Sequence, residues 1–161
     1  MNTLTTALDS HLQLLQELLS LLKRETGELS EVHLDAMSEI NNLKEEIAAR
    51  ILAGAGSLRR VVEEAATREG FTSKATLGEL AVNLNRKGNQ DVTRLHAELN
   101  ATASQVKERL ALNRDIAERF VASVGNSLDF LARVINQTNT YGSSGGYQQR
   151  LTGAVMINRE A

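Results

Sequence analysis

The chain has 161 residues, 18 basic against 20 acidic, and a formal net charge of -2; this allows one domain with a real core and gives no global field that would steer it to DNA, RNA or an anionic membrane surface. It contains no proline and no cysteine, so nothing forbids very long helices, disulfide and thiolate chemistry are excluded, and a reducing cytosol fits. Aromatics are only 3% of the residues, which suits narrow Leu, Ile, Val and Ala seams between helices better than a thick globular core, and so predicts an elongated shape.

Leu4, Leu8, His11, Leu15, Leu18 and Leu22 recur at intervals of four and three, which predicts one face of a helix starting near Asn2 or Thr3. Leu12, Leu14, Leu19 and Leu21 widen that face. Asp9, His11 and Glu17 interrupt the leucines and no basic stretch precedes them, so this segment is expected to be neither a signal peptide nor a membrane span. Gly27 and Ser30 are the predicted break and N-cap before a second helix. Its seam is Met37, Ile40, Ile47, Ile51, Leu58, Val61 and Ala65, with Lys44 and Gly54 at two further seam positions.

Gly54-Ala55-Gly56 inside that pattern predicts a kink or a close helix contact; a phosphate loop would need a preceding strand and a following Lys-Ser/Thr, both missing. After Gly70-Phe71, Thr76 and Glu79 have capping-box spacing, which predicts a short helix to about Asn85. Val92, Leu95, Leu99, Ala103, Val106, Leu110, Asn113, Ala117, Val121, Val124, Leu128, Leu131 and Ile135 then form one stripe that only Asn113 interrupts. A single helix over about 89–137 follows, roughly 70 Å long. Intervals of four outnumber those of three, so a nearly straight antiparallel bundle is expected, with the second helix packed alongside.

From Thr138 to Gly146 the composition turns to Gly, Ser, Thr and Asn, too polar to offset its ordering entropy. Leu151, Val155, Met156 and Ile157 form an apolar cluster near the end, as a segment that folds on a partner would. The expected organisation is all-α: three long helices and one short one in an antiparallel bundle over 1–137, then a flexible partner-binding tail over 138–161.

Chemistry is sparse. His11, His33 and His96 are the only histidines and so the only candidates for proton transfer or metal binding, none in a recognisable motif and none with a second histidine at zinc-binding spacing. A histidine-phosphotransfer bundle would place Lys and Gly soon after its histidine, which neither His33 nor His96 shows. Glu45-Glu46 and Glu63-Glu64 are adjacent residues, pointing about 100° apart on a helix, and do not converge on a substrate. Arg59-Arg60 reads as a charged helix face. No cofactor, metal or catalytic group is expected. Aromatics instead gather late: Phe120, Phe130, Tyr141 and Tyr147 all lie in the last third. Aromatics anchor interfaces, although Phe120 and Phe130 could equally fill a bundle.

The long final helix with Asn113 and Asn126-Ser127-Leu128, followed by Tyr141-Gly142-Ser143-Ser144-Gly145, resembles the FlgN-type flagellar export chaperones, which carry a Tyr-Gly-x-x-Gly element at that place. The resemblance implies a cytoplasmic, non-enzymatic chaperone of the flagellar type III export pathway. Its clients would be the hook-associated proteins of the hook-filament junction, gripped through a terminal amphipathic helical region. It also implies docking to the cytoplasmic domain of the export gate through Tyr141, with Gly142 and Gly145. Taken with what the resemblance implies, the expected client surface is Phe120, Val124, Leu128, Phe130, Leu131, Ile135, Leu151, Val155 and Ile157, because a helix face of this kind can cover a client's apolar stripe. The alternative is a structural coiled coil that associates with itself, and a homodimer is compatible with the leucine-rich first helix.

Overall fold

The computed structural model describes residues 2–71 and 75–138, and the chain forms two compact units, Met1–Glu118 and Arg119–Ala161. Among the described residues there are four α-helices: α1 (Asn2–Glu31), α2 (Leu34–Arg68), α3 (Leu77–Arg86) and α4 (Asp91–Thr138). The all-α expectation of three long helices and a short one is met. The expected tail lies, from residue 139 onward, outside the described residues.

In the first unit α1 is wedged among its neighbours. Leu4, Leu8, Leu12, Leu19 and Leu22 are buried, whereas His11, Leu15 and Leu18 are half-buried. Leu12 and Leu19, at the margin of the face read from spacing, therefore sit at its centre. The reason is that α1 is covered from more than one side: Leu4, Leu8 and Leu12 cluster with Leu80, Ala81 and Leu84 of α3 and Val92, Leu95 and Leu99 of α4, with Leu58, Val61, Val62 and Ala65 of α2 packed against them. Deeper along the helix, Leu19 and Leu22 meet Val106.

Pairing directions follow from the partners. Glu17 pairs with Arg50 at 3.1 Å, Glu25 with Lys44, and Arg24 with Glu39 at 3.1 Å, so α1 and α2 are antiparallel. Numbers rise together between α1 and α4, from Leu4 with Val92 to Leu22 with Asn113, so those two run parallel.

The break between α1 and α2 falls later than predicted. Helix α1 passes through Gly27, and Ser30 is no N-cap, because its Oγ donates back to Thr26 O at 2.8 Å. The chain turns instead at Val32, whose φ of 59° is left-handed, with His33 N donating to Glu28 O at 3.1 Å. This six-to-one closure is the same that ends α2 and α3, where Gly70 and Gly88 hold the left-handed position and Phe71 N and Asn89 N reach back to Ala66 O and Leu84 O. A β-branched residue there is strained by roughly 1–2 kcal/mol. Val32 is 45% exposed, so Val32→Gly sacrifices little burial. It is expected to raise the thermal midpoint by a few degrees, corresponding to about 1 kcal/mol; a lower midpoint in a melt would show that the valine side chain holds the turn.

Helix α2 runs through Gly54-Ala55-Gly56, and a Cβ at Gly54 or Gly56 would meet nothing within 4 Å. The close helix contact expected there is absent. Helix α3 begins as predicted: Thr76 Oγ1 accepts from Glu79 N at 3.3 Å, and Thr76 N donates to Glu79 Oε2 at 2.7 Å. These bonds from Thr76 backbone and hydroxyl hold the Glu79 carboxyl below its usual value of 4.5. The cap contribution is thus complete above the ordinary carboxylate range and lost as pH falls through the lower folded value.

Within the first unit, α4 buries Val92, Leu95, Leu99, Thr102, Val106 and Asn113, with Arg109 and Ile116 half-buried. The gaps alternate between three and four, a mean of about 3.5 residues and the spacing of a left-handed coiled-coil seam. Ala103 and Leu110, both on the stripe read from sequence, are exposed. That stripe had drifted by one residue, and the nearly straight seam inferred from it is replaced by one with coiled-coil spacing.

Asn113, the interruption in the stripe, is buried for a reason. Its Nδ2 donates to Leu22 O at 2.9 Å and to Glu25 Oε2 at 2.8 Å, and Thr26 Oγ1 lies 2.6 Å from its Oδ1. Lys44 of α2, another polar residue on a predicted seam, pairs with Glu25 Oε1. Four side chains thus form a polar layer across three helices, and no buried side-chain polar atom among the described residues lacks a partner.

Candidate functional site

The histidines do not assemble a site. His33 Nδ1 lies 2.8 Å from Glu28 Oε2 at the end of α1, and His96 Nε2 is 3.1 Å from Asn100 Nδ2. His11 is half-buried beside Leu58, Val62 and Leu77. Among the described residues no three His, Asp or Glu side chains are placed to hold a metal ion. The paired carboxylates are surface groups: Glu63 pairs with Arg59 at 2.8 Å and Glu64 with Arg68 at 3.6 Å, each one turn apart on α2. A cleft between Leu4, Val61, Ala65 and Leu84 holds about 80 Å³, far below the hundreds of Å³ of a small-molecule pocket, and the larger hollows, of about 510 to 680 Å³, are shallow depressions open to solvent along the helix surfaces.

What the second unit offers is a helix face. From Arg119 to Ile135 every side chain of α4 is exposed, and the residues include Phe120, Val121, Val124, Leu128, Phe130, Leu131, Val134 and Ile135. Phe130 is 66% and Leu128 61% exposed, whereas Phe120 is 38% exposed. The bundle-filling role left open for the two phenylalanines is therefore not what Phe130 does. Six of the residues expected on the client surface (Phe120, Val124, Leu128, Phe130, Leu131 and Ile135) share this helix. Two more belong to the same exposed set but were absent from the expected surface: Val121, already on the sequence stripe, and Val134, whose signal was its four-residue spacing from Phe130. Leu151, Val155 and Ile157, and the docking residues Tyr141, Gly142 and Gly145, lie outside the described residues.

A protein-family model described as FlgN protein matches residues 1–149. The chain belongs to the FlgN family. FlgN proteins are chaperones for the flagellar hook-associated proteins during export, non-enzymatic and cytoplasmic. The match covers all four helices and extends over the Tyr141-Gly142-Ser143-Ser144-Gly145 element. No curated protein and no solved structure matches the chain. Among the described residues of this FlgN protein, no helix is long and apolar enough to cross a membrane.

Proposed function

We propose that this FlgN protein grips its hook-associated client on the exposed apolar face of α4, with Leu151, Val155 and Ile157 completing the surface, and docks to the cytoplasmic domain of the export gate through Tyr141, Gly142 and Gly145. The crowding of large apolar side chains, exposed over Phe120–Ile135, carries the reading. An uncovered stripe of this kind costs solubility and is retained where a partner covers it. A client's assembly helix has the complementary stripe, and covering it keeps subunits from pairing early. Ordering the tail on the client would offset about 2–5 kcal/mol of the contact energy, which moderates affinity and favours release at the gate.

Truncation after Gln137 tests the tail. Helical content by circular dichroism should stay close to that of the full chain while client pull-down is lost, and full client capture by the truncated protein rejects the assignment. Tyr141→Ala should spare client binding and weaken gate docking; a parallel loss of both, or of neither, counts against separate roles. Pairing of two copies through the same face is the competing reading. Light scattering of the free chain decides it, since a client-holding face predicts a small species that forms a defined complex, and a structural coiled coil predicts assembly without client.

A further inference from the structure

The turn between α1 and α2 consists of Val32 and His33 alone, and nothing in the local sequence demands a turn. Residues 28–53 contain neither glycine nor proline. The seam also keeps helical phase straight across the turn: Leu22, Thr26, Leu29, His33, Met37, Ile40, Lys44 and Ile47 follow one another at steps of three or four. An unbroken helix would carry all of them on one side. The hairpin instead holds Val32 at a φ of 59°, where a β-branched side chain is strained.

The contacts at the turn are local. His33 N donates to Glu28 O and Met37 N to His33 O, and the His33 ring lies 2.8 Å from Glu28 and 3.5 Å from Glu31. His33 gives α2 no side-chain cap, and residues 30–35 are all exposed. Straightening the turn into helix therefore uncovers no core and relieves Val32.

What the hairpin holds together within one chain can be held equally between two. The ion pairs Glu17 with Arg50, Arg24 with Glu39 and Glu25 with Lys44 straddle the turn almost symmetrically. Two straightened chains laid antiparallel about Val32 and His33 recreate all three pairs across the chains, the buried Glu25 and Lys44 included. Helix α1 of each copy then fills the core made by Leu80, Val92 and Leu95 of the other. Short hinges under strain favour exchange of this kind.

We propose that the α1–α2 turn is a hinge, and that at high concentration two copies of this chain exchange α1, each with a single helix over 2–68, roughly 100 Å long. The exchange uses residues of the first unit and is independent of client binding. It is tested by refolding the full-length chain from denaturant at micromolar and at millimolar concentration and separating the products by size exclusion with light scattering. A dimer is expected at the higher concentration. Val32→Gly should weaken its association at least about 100-fold, because glycine removes the strain from both closed chains and disfavours both open helices. His33→Ala should strengthen it several-fold, since alanine is the better helix former and the ring beside Glu28 is gone. The chain has no cysteine, so Glu17→Cys with Arg50→Cys, at two half-exposed positions whose ion pair contributes little, reports the topology through a short bismaleimide. Links between chains are expected in the dimer, and links within the chain in the monomer. Monomer alone at both concentrations, a dimer linked only within its chains, or a Val32→Gly dimer as tight as the parent's overturns the proposal. So does a dimer abolished by Phe130→Ser with Leu131→Ser, because such pairing would run through α4.

Discussion

Leu128→Glu combined with Leu131→Glu is expected to weaken client binding by at least about 100-fold while leaving the fold intact. The side chains are 61% and 52% exposed in the free protein, so replacing them removes little burial there, and surface changes of this sort are usually worth within about 0.5 kcal/mol. Bound to a client helix they would be covered, and each buried leucine contributes about 1.5–3 kcal/mol. Placing two carboxylates in an apolar seam adds a desolvation cost. Isothermal titration against the purified client, with a thermal melt of the free variant alongside, separates the two effects. A variant that binds client normally would remove α4 from the interface; one that melts early would mean that the face is covered within the free chain.

The second large effect is expected at the polar layer. Lys44→Met leaves the Glu25 carboxylate, 8% exposed, without its ammonium partner, and removing one member of a buried pair typically costs about 3–5 kcal/mol. A chain of this length should lose roughly 10 °C in its thermal midpoint. Replacing three of the four members together, with Glu25→Met, Lys44→Met and Asn113→Leu, removes the demand as well as the supply, since Thr26 Oγ1 keeps its bond to Leu22 O. That variant should recover most of the loss or exceed the parent, because apolar packing of similar volume equals or betters a buried ion pair. The layer's role would then be register: a single buried Asn on a coiled-coil seam selects one alignment of the helices at a cost in stability. Failure of the triple variant to recover would assign the layer a direct share in stability. Both midpoints are read by circular dichroism melts at one pH and salt concentration.

The same contrast between local pattern and neighbour runs through the whole molecule. Helix existence was legible from leucine spacing and the absence of proline, and the start of α3 from Thr76 and Glu79, because an α-helix and its cap are built from residues three and four apart. The Tyr-Gly-x-x-Gly element after the last helix was legible for the same reason, being a local motif. The exposed face of α4 was half legible: Phe120, Val124, Leu128, Phe130, Leu131 and Ile135 stood out as apolar, but a stripe on a helix looks the same whether it is covered or bare.

Sequence alone determined that this chain is helical, where its helices lie to within a few residues, and which side of each is apolar, since those properties belong to the backbone period. Tertiary packing decided which of two adjacent lines on α4 became the seam, Thr102 being buried and Ala103 exposed. It also decided that α4 runs parallel to α1, that Val32 takes the left-handed turn that Gly27 was expected to mark, and that Asn113 and Lys44 meet over Glu25. Each of these depends on groups some 20 to 90 residues distant or on the geometry of a neighbouring helix, and hydrophobic burial, being non-directional, is fixed only when that neighbour arrives.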